Sequence, residues 1–139
     1  MPLRRQSLIL IDSSVWIDYY HPKGPETLKR KVQEELAQGT VATVGLIAVE
    51  VLQGAPNLTT FSALQEDFLG YHWLEITQDV YLEAARLSSS LRQTGASVPT
   101  TDVVIAAAAL HYHAHLWHRD NDFTRLAHYT PSLHSLQLL

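Results

Sequence analysis

The sequence predicts an α/β fold in which helices cover both faces of a parallel sheet. Short apolar runs rich in branched residues, such as residues 8–11 and 41–44, are typical of buried parallel strands. Segments with apolar residues at helical spacing lie between these runs. Because strands alternate with helices along the whole chain, the sheet is expected to be parallel.

The composition is that of one globular domain spanning residues 1–139. Hydrophobic residues make up 46% of the chain and charged residues 17%, which argues against a disordered protein. There is no cysteine, which excludes disulfides and thiolate metal sites and fits a reducing cytoplasm. The apolar run before Asp12 is too short for a signal peptide, and no apolar stretch approaches the ~18 residues of a membrane span. We therefore expect a cytoplasmic protein with no membrane contact.

The first half of the chain contains three predicted strands and four predicted helices. The first strand runs straight into a helix for which Ser13 or Ser14 would be the cap. Gly39 is expected to end the second helix, because glycine tolerates the left-handed conformation found there. The predicted strands cover residues 8–11, 41–44 and 73–76, and the later helices cover residues 26–38, 47–53 and 58–69.

The second half contains a long helix, a very apolar helix and two short strands. Thr77 is the expected cap of the long helix, residues 78–94, and Thr100-Thr101-Asp102 is expected to cap the next, residues 103–112. The latter is apolar all round, which predicts a buried central helix. Strand 114–117, a turn at 120–122, a helical turn at 123–128 and an edge strand within 133–139 complete the order.

Several carboxylates stand beside apolar segments instead of on polar faces. They are Asp12, Glu50, Asp102, Asp120 and Asp122. A carboxylate in apolar surroundings needs a cation, hydrogen-bond donors or a raised pKa, and no Lys or Arg lies near Asp12, Glu50 or Asp102 in the sequence. If these acids converge, oxygen ligands without cysteine favour Mg²⁺ or Mn²⁺. Each acid also has an ordinary alternative role as a helix cap, a turn residue or an exposed charge.

Other features bear on the class of partner. The formal net charge of −4 argues mildly against a nucleic-acid binder, unless the acids surround bound cations. His111 and His115 are four residues apart, a spacing that binds zinc when both lie on one helix. The strand predicted at 114–117 breaks that spacing, so a zinc protein is the weaker alternative.

Four segments together resemble the PIN-domain family, and specifically the VapC-type toxin ribonucleases. In this sequence they read ILIDSSVWIDYY, IAVEVLQG, TTDVVIAAAAL and LWHRDNDF, in the family's order and across nearly the whole chain. The resemblance implies a three-layer α/β/α sandwich with a short, mainly parallel central sheet. It also implies a metal-dependent endoribonuclease that hydrolyses RNA as the toxin of a toxin–antitoxin pair.

The resemblance assigns roles to residues of this chain. Asp12, Glu50, Asp102 and Asp120 would form the catalytic acidic pocket that binds Mg²⁺ or Mn²⁺, and Asp122 would assist at the metal. Ser13 and Ser14 would lie close to the metal and contact the substrate, and Arg119, which is adjacent to Asp120, is our candidate for a cation that binds substrate phosphates. One departure concerns His118, which stands where the family commonly has a threonine.

The same resemblance implies partners. We expect a VapB-like antitoxin that covers the acidic site, and a homodimer. Side chains that could line the antitoxin groove are Trp16, Tyr19, Tyr20, Leu46, Val49 and Leu52. An RNA-processing PIN nuclease that is not a toxin, and a non-catalytic PIN-like interaction module, remain alternatives at this point.

Overall fold

A computed structural model describes residues 7–139 as five strands and seven helices in alternation. The strands are β1 (Ile9–Ile11), β2 (Val41–Thr43), β3 (His72–Trp73), β4 (His115–His118) and β5 (Ser135–Gln137). The helices are α1 (Ser13–Tyr20), α2 (Glu26–Gln38), α3 (Gly45–Leu52), α4 (Leu58–Leu69), α5 (Gln78–Gln93), α6 (Thr100–His111) and α7 (Asn121–Tyr129). Arg4 and Arg5, which precede the first apolar run, lie outside the described residues.

The sheet has the order β3-β2-β1-β4-β5, and every neighbouring pair is parallel. The chain builds from β1 outwards to β3, then crosses back and places β4 on the other side of β1. The order therefore reverses between β1 and β4, and in such sheets ligands bind beyond the strand ends at this point. The predicted parallel α/β sandwich is confirmed.

The helices fall into two groups, which is the arrangement that a doubly covered sheet requires. Helices α1 to α4 contact one another, and α5 contacts α6, which in turn contacts α7. The core includes Leu10, Ile11, Trp16, Phe68 and Leu116, all of which are fully buried. Helix α6 is the most buried helix, as predicted, with every residue from Val103 to Ala109 inside.

Several predicted boundaries are corrected. The cap of α1 is Asp12, not a serine, because its carboxylate accepts a hydrogen bond from the Ser14 backbone N–H. Helix α6 begins at Thr100 after Pro99, whose fixed φ suits a helix start, so Asp102 lies within the first turn. Helix α7 begins at Asn121, two residues before the predicted helical turn.

The edge strands are shorter than the sequence predicted. Strand β3 covers only two exposed residues, and β5 is the edge strand expected at the C-terminal end of the chain. Short edge strands limit pairing with other chains. No helix within residues 7–139 has the length and apolar character needed to span a membrane.

Candidate active site

Asp12 lies at the carboxyl end of β1, directly beside β4. Its backbone N–H donates to the Trp117 carbonyl at 2.9 Å, which aligns the ends of the two central strands. The Asp12 side chain is only 4% exposed. Burial raises the pKa of this carboxyl, hydrogen bonds from Ser14 and Ser13 partly oppose the change, and Asp120 adds to it. The site therefore holds a buried acid with another acid close by.

Ser14 connects Asp12 to the segment after β4. Its hydroxyl donates to Asp12 Oδ2 at 2.6 Å and accepts the Arg119 backbone N–H at 2.9 Å. The Ser14 backbone N–H also donates to Asp12 Oδ2, at 3.0 Å. One serine thus orients the carboxylate and fixes its position relative to the β4–α7 connection.

Three further acids meet at the starts of α6 and α7. Asp102, Asp120 and Asp122 each offer a carboxylate oxygen, and these oxygens all lie within 4.8 Å of one another. Asp120 caps α7, with its Oδ1 accepting the Asp122 backbone N–H at 2.9 Å. Asp122 also forms an ion pair with Arg125. Burial, followed by the charges of Asp120, Asp12 and Asp122, raises the pKa of Asp102 to about 7.

Glu50 approaches the same site from α3. Burial raises its pKa, the charge of Asp12 adds to the effect, and a hydrogen bond from Ser13 opposes it. Its Oε1 is inaccessible to solvent and has no hydrogen-bond partner within residues 7–139. An ionised oxygen in that position is costly unless a cation satisfies it.

His118 is the last residue of β4, and Arg119 follows it in the connection to α7. The Arg119 Nη1 donates to Asp18 Oδ2 at 2.6 Å, so this arginine ties α1 to the β4–α7 connection. His118 is 1% exposed, and its Nδ1 lies 3.3 Å from the backbone nitrogen of Asp120. Burial lowers the pKa of His118, against the opposing charges of Asp12 and Asp120.

The arrangement fits a divalent cation. The structure clusters the carboxylates of Asp102, Asp120 and Asp122, and Asp12 lies outside this group but close enough for its charge to act on Asp102 and Glu50. Burial, and after it mutual repulsion, raises the pKa of Asp12, Glu50 and Asp102, and a bound cation would oppose this change. The donors are oxygens only, the set preferred by Mg²⁺ and Mn²⁺.

The histidine alternative loses its geometric basis. His111 ends α6, whereas His115 begins β4, so the two do not share a helix face. The Nδ1 of His111 instead pairs with Glu83 Oε1 at 3.1 Å. Among residues 7–139, the one metal-compatible group of three or more side chains consists of aspartates.

The local sequence does not indicate the pairing of Asp18 with Arg119. The two residues are 101 positions apart, so no local spacing could have revealed the contact. The bridging role of Ser14 was missed for the same reason, since its partner Arg119 is 105 positions away.

Comparison with known proteins gives one consistent picture. The PIN domain family matches residues 9–129. Ribonuclease VapC11 of Mycobacterium tuberculosis is 32% identical over 128 residues, covering 88% of this chain and 94% of that protein.

Solved structures agree in fold. VapBC from Salmonella typhimurium, crystallised with DNA, superposes with a TM-score of 0.77 at 14% identity, covering 95% of this chain and 98% of that one. VapBC-5 from Mycobacterium tuberculosis, a member of the VapBC family of toxin–antitoxin systems, gives a TM-score of 0.69 at 21% identity, covering 96% and 100%.

Proposed function

Because the chain belongs to the PIN-domain family of VapC ribonucleases, we propose that it is a metal-dependent endoribonuclease acting as the toxin of a VapBC-type pair. The observation that carries the proposal is the cluster of Asp102, Asp120 and Asp122, whose carboxylate oxygens lie within 4.8 Å of one another, with Asp12 close enough for its charge to raise the pKa of Asp102 and of Glu50. The relatives' VapC name favours a toxin over an RNA-processing nuclease. A non-catalytic module would have no need of this group of buried and half-buried acids.

The acids would hold one or two Mg²⁺ or Mn²⁺ ions. Asp12, Asp102 and Asp120 would contribute ligands, with Glu50 and Asp122 assisting directly or through water. Bound there, the cation supplies positive charge against the phosphate and lowers the pKa of water, which is what phosphodiester hydrolysis requires. The α6 and α7 N-termini, where Asp102 and Asp120 lie, add favourable dipoles for the substrate phosphate.

The remaining proposed site residues orient the acids and the substrate. Ser14 holds Asp12, and Ser13 lies against Glu50. The Arg119 side chain is 29% exposed, and its guanidinium would contact a phosphate while Asp18 holds one of its nitrogens, Nη1, in place. Acting on cellular RNA, the protein would work in the cytoplasm.

The direct test is cleavage of a structured RNA pool. We expect cleavage in Mg²⁺ or Mn²⁺, loss of cleavage on chelation, and recovery when the metal is restored. Sequencing of the products would identify the RNA and the cleaved bond. Cleavage that persists in chelator would contradict a metal-dependent enzyme and indicate a contaminating nuclease.

Ser14→Ala should weaken the site without removing a ligand. The change leaves the Arg119 backbone N–H without its partner and Asp12 Oδ2 without its hydroxyl donor, at an expected cost of about 1–3 kcal/mol. Loss of such a supporting partner should reduce Mn²⁺ affinity by about 10–100-fold, measured by calorimetric titration. Ser14→Thr keeps the hydroxyl and is the control. Equal Mn²⁺ affinity in the alanine variant and the wild type would contradict this role.

A VapB-like antitoxin would dock on apolar side chains that α1 and α3 leave exposed. Trp16, one of the expected groove residues, is instead fully buried, and Tyr19, Leu46 and Leu52 pack partly against the core. Val49 is 61% exposed, Tyr20 37% and the neighbouring Ile17 60%. Since α1 and α3 contact each other, these side chains offer an apolar surface next to the acids.

Ile17→Asp should weaken antitoxin binding by about 100-fold or more, because it places a charge within an apolar contact. The affinity of each variant for the antitoxin co-expressed with this chain would be measured by surface plasmon resonance. Leu58→Asp, at an 83% exposed position on α4, is the matched control and should bind normally. Equal loss in both variants would contradict the placement on α1 and α3. Light scattering of the free protein would test the proposed homodimer.

A further inference from the structure

We propose that His118 is a positioning residue that sets the place of the Asp120 carboxylate. It acts through the hydrogen bond between its Nδ1 and the Asp120 backbone N–H. The inference rests on the proposed function, because Asp120 is taken as part of the acidic site. It gives a role to the histidine that stands where the family commonly has a threonine.

The His118 ring is held firmly. The residue ends β4 at the centre of the sheet and is 1% exposed. Its ring centroid lies 5.2 Å from that of Phe123, a fully buried residue of α7. The imidazole therefore packs between the end of β4 and the first turns of α7, where a small hydroxyl side chain would leave space.

Three backbone N–H groups shape the turn from β4 into α7, and each donates to a side chain. The Arg119 N–H donates to Ser14 Oγ at 2.9 Å, and the Asp122 N–H donates to Asp120 Oδ1 at 2.9 Å. The Asp120 N–H donates to His118 Nδ1 at 3.3 Å. Of these three bonds, only the last is donated by the backbone of Asp120, whose carbonyl also accepts the Phe123 N–H at 3.1 Å.

The Asp120 N–H donor identifies the tautomer of the His118 imidazole. A backbone N–H can be accepted only by a ring nitrogen that carries no proton, so the hydrogen of the neutral imidazole lies on Nε2. Nδ1 is then a dedicated acceptor two residues before the acid that it positions. The acidic groups facing this ring are Asp12 and Asp120, and the described aromatic contact is Phe123.

The position of the Asp120 carboxylate matters because only one of its oxygens is held by a hydrogen bond within the turn. Its Oδ1 accepts the Asp122 N–H, and one of its carboxylate oxygens lies within 4.8 Å of those of Asp102 and Asp122, where the proposed cation would bind. Without an acceptor at residue 118, the Asp120 N–H loses its partner and the turn can relax. A carboxylate displaced by such a relaxation binds a small cation less tightly, because Mg²⁺ and Mn²⁺ demand close geometry.

Two substitutions separate the effect of the hydrogen-bond acceptor at residue 118 from the effect of side-chain packing there. The Oδ1 of asparagine in His118→Asn can stand where Nδ1 stands, whereas His118→Leu fills a similar space with no acceptor. We expect His118→Leu to reduce Mn²⁺ affinity by about 10–100-fold, the effect typical of supporting partners in metal sites. His118→Asn should restore affinity to within about threefold of wild type. In RNA cleavage, the leucine variant should lose kcat with little change in KM.

Amide hydrogen exchange at Asp120, followed by NMR without metal, tests the same hydrogen bond independently of function. Exchange should accelerate about tenfold or more in His118→Leu and stay slow in His118→Asn. The proposal would be overturned if His118→Leu kept the wild-type Asp120 exchange rate and the wild-type Mn²⁺ affinity. An equal loss of Mn²⁺ affinity in His118→Leu and His118→Asn would also overturn it. If the leucine variant does not fold, His118→Gln replaces it, since its amide reaches one bond further and cannot occupy the Nδ1 position. If wild type binds no Mn²⁺ while exchange behaves as stated, it is the proposed function that fails.

Discussion

Asp12→Asn should abolish RNA cleavage while leaving the protein folded. Asparagine has the same shape and is a good helix cap, so it can still accept the Ser14 hydrogen bonds at the start of α1. It cannot supply the negative charge that a divalent cation requires. Removing a residue that supports a metal ligand already lowers metal affinity or activity by about 10–100-fold. Loss of a ligand itself should therefore lower kcat/KM by at least about 100-fold.

The same substitution should not destabilise the metal-free protein. Burial and Asp120 raise the pKa of Asp12, so the ionised group is unfavourable there without a cation. Circular dichroism and thermal unfolding should therefore show a Tm at or above that of wild type. Glu34→Gln, which neutralises an exposed acid of α2, is the matched control and should cleave normally. Full cleavage by a folded Asp12→Asn variant would contradict the assignment of the site.

Divalent metal should stabilise the protein strongly, and more so as the pH rises. At 100 times Kd, a ligand that binds only the folded state adds about 2.7 kcal/mol. For a chain of this length that corresponds to a rise in Tm of roughly 10 °C. Because the ligands must be ionised to bind a cation, the Mn²⁺-induced rise in Tm should be larger at about pH 7.5 than at about pH 5.5.

Without metal, stability should change with pH in the opposite direction. Burial and the neighbouring acids raise the pKa of Asp102 to about 7 in the folded protein, from an ordinary value of 3.8, so between these values the folded chain keeps a proton that the unfolded chain has released. The free energy of unfolding of the metal-free protein therefore falls as the pH rises through this window. The raised pKa values of Asp12 and Glu50 act in the same direction.

Asp102→Asn provides the control for both pH effects. The substitution removes the carboxyl group that contributes most to the pH dependence of stability between pH 3.8 and about 7. It should therefore flatten the pH dependence of Tm in the metal-free protein. It should also remove most of the stabilisation by Mn²⁺. A metal-free wild type whose Tm rises steadily from about pH 4 to 7 would contradict the proposed acidic cluster.

The sequence was sufficient to predict the element order and the main acids, because both depend on local patterns. Strand β1 runs straight into Asp12, and a parallel sheet gathers the carboxyl ends of its strands at one edge. Helix α6 was predicted as buried from its uniform apolar character, and this is confirmed. These inferences need only the chain near each residue and the general rules for parallel sheets.

The interactions that position the acids could not be predicted, because they join residues distant in sequence or depend on how neighbouring elements pack. Ser13 or Ser14 was expected to cap α1, yet the Ser14 hydroxyl joins Asp12 to the Arg119 backbone N–H, 105 positions away. Arg119 was expected to face the substrate, and the structure pairs it with Asp18. His118 was recognised as a departure from the resemblance, but its contact with the Asp120 N–H depends on how α7 follows β4.

The most direct test of the central claim is a crystal structure of the protein in Mn²⁺, with the metal located by its anomalous scattering. We predict a peak about 2.0–2.2 Å from carboxylate oxygens of Asp12, Asp102 and Asp120, the distance range of small hard cations. Glu50 Oε1 should face the same peak or a water bound to it. Absence of a peak at these acids at saturating Mn²⁺, or a peak at His111 or His115 instead, would contradict the account.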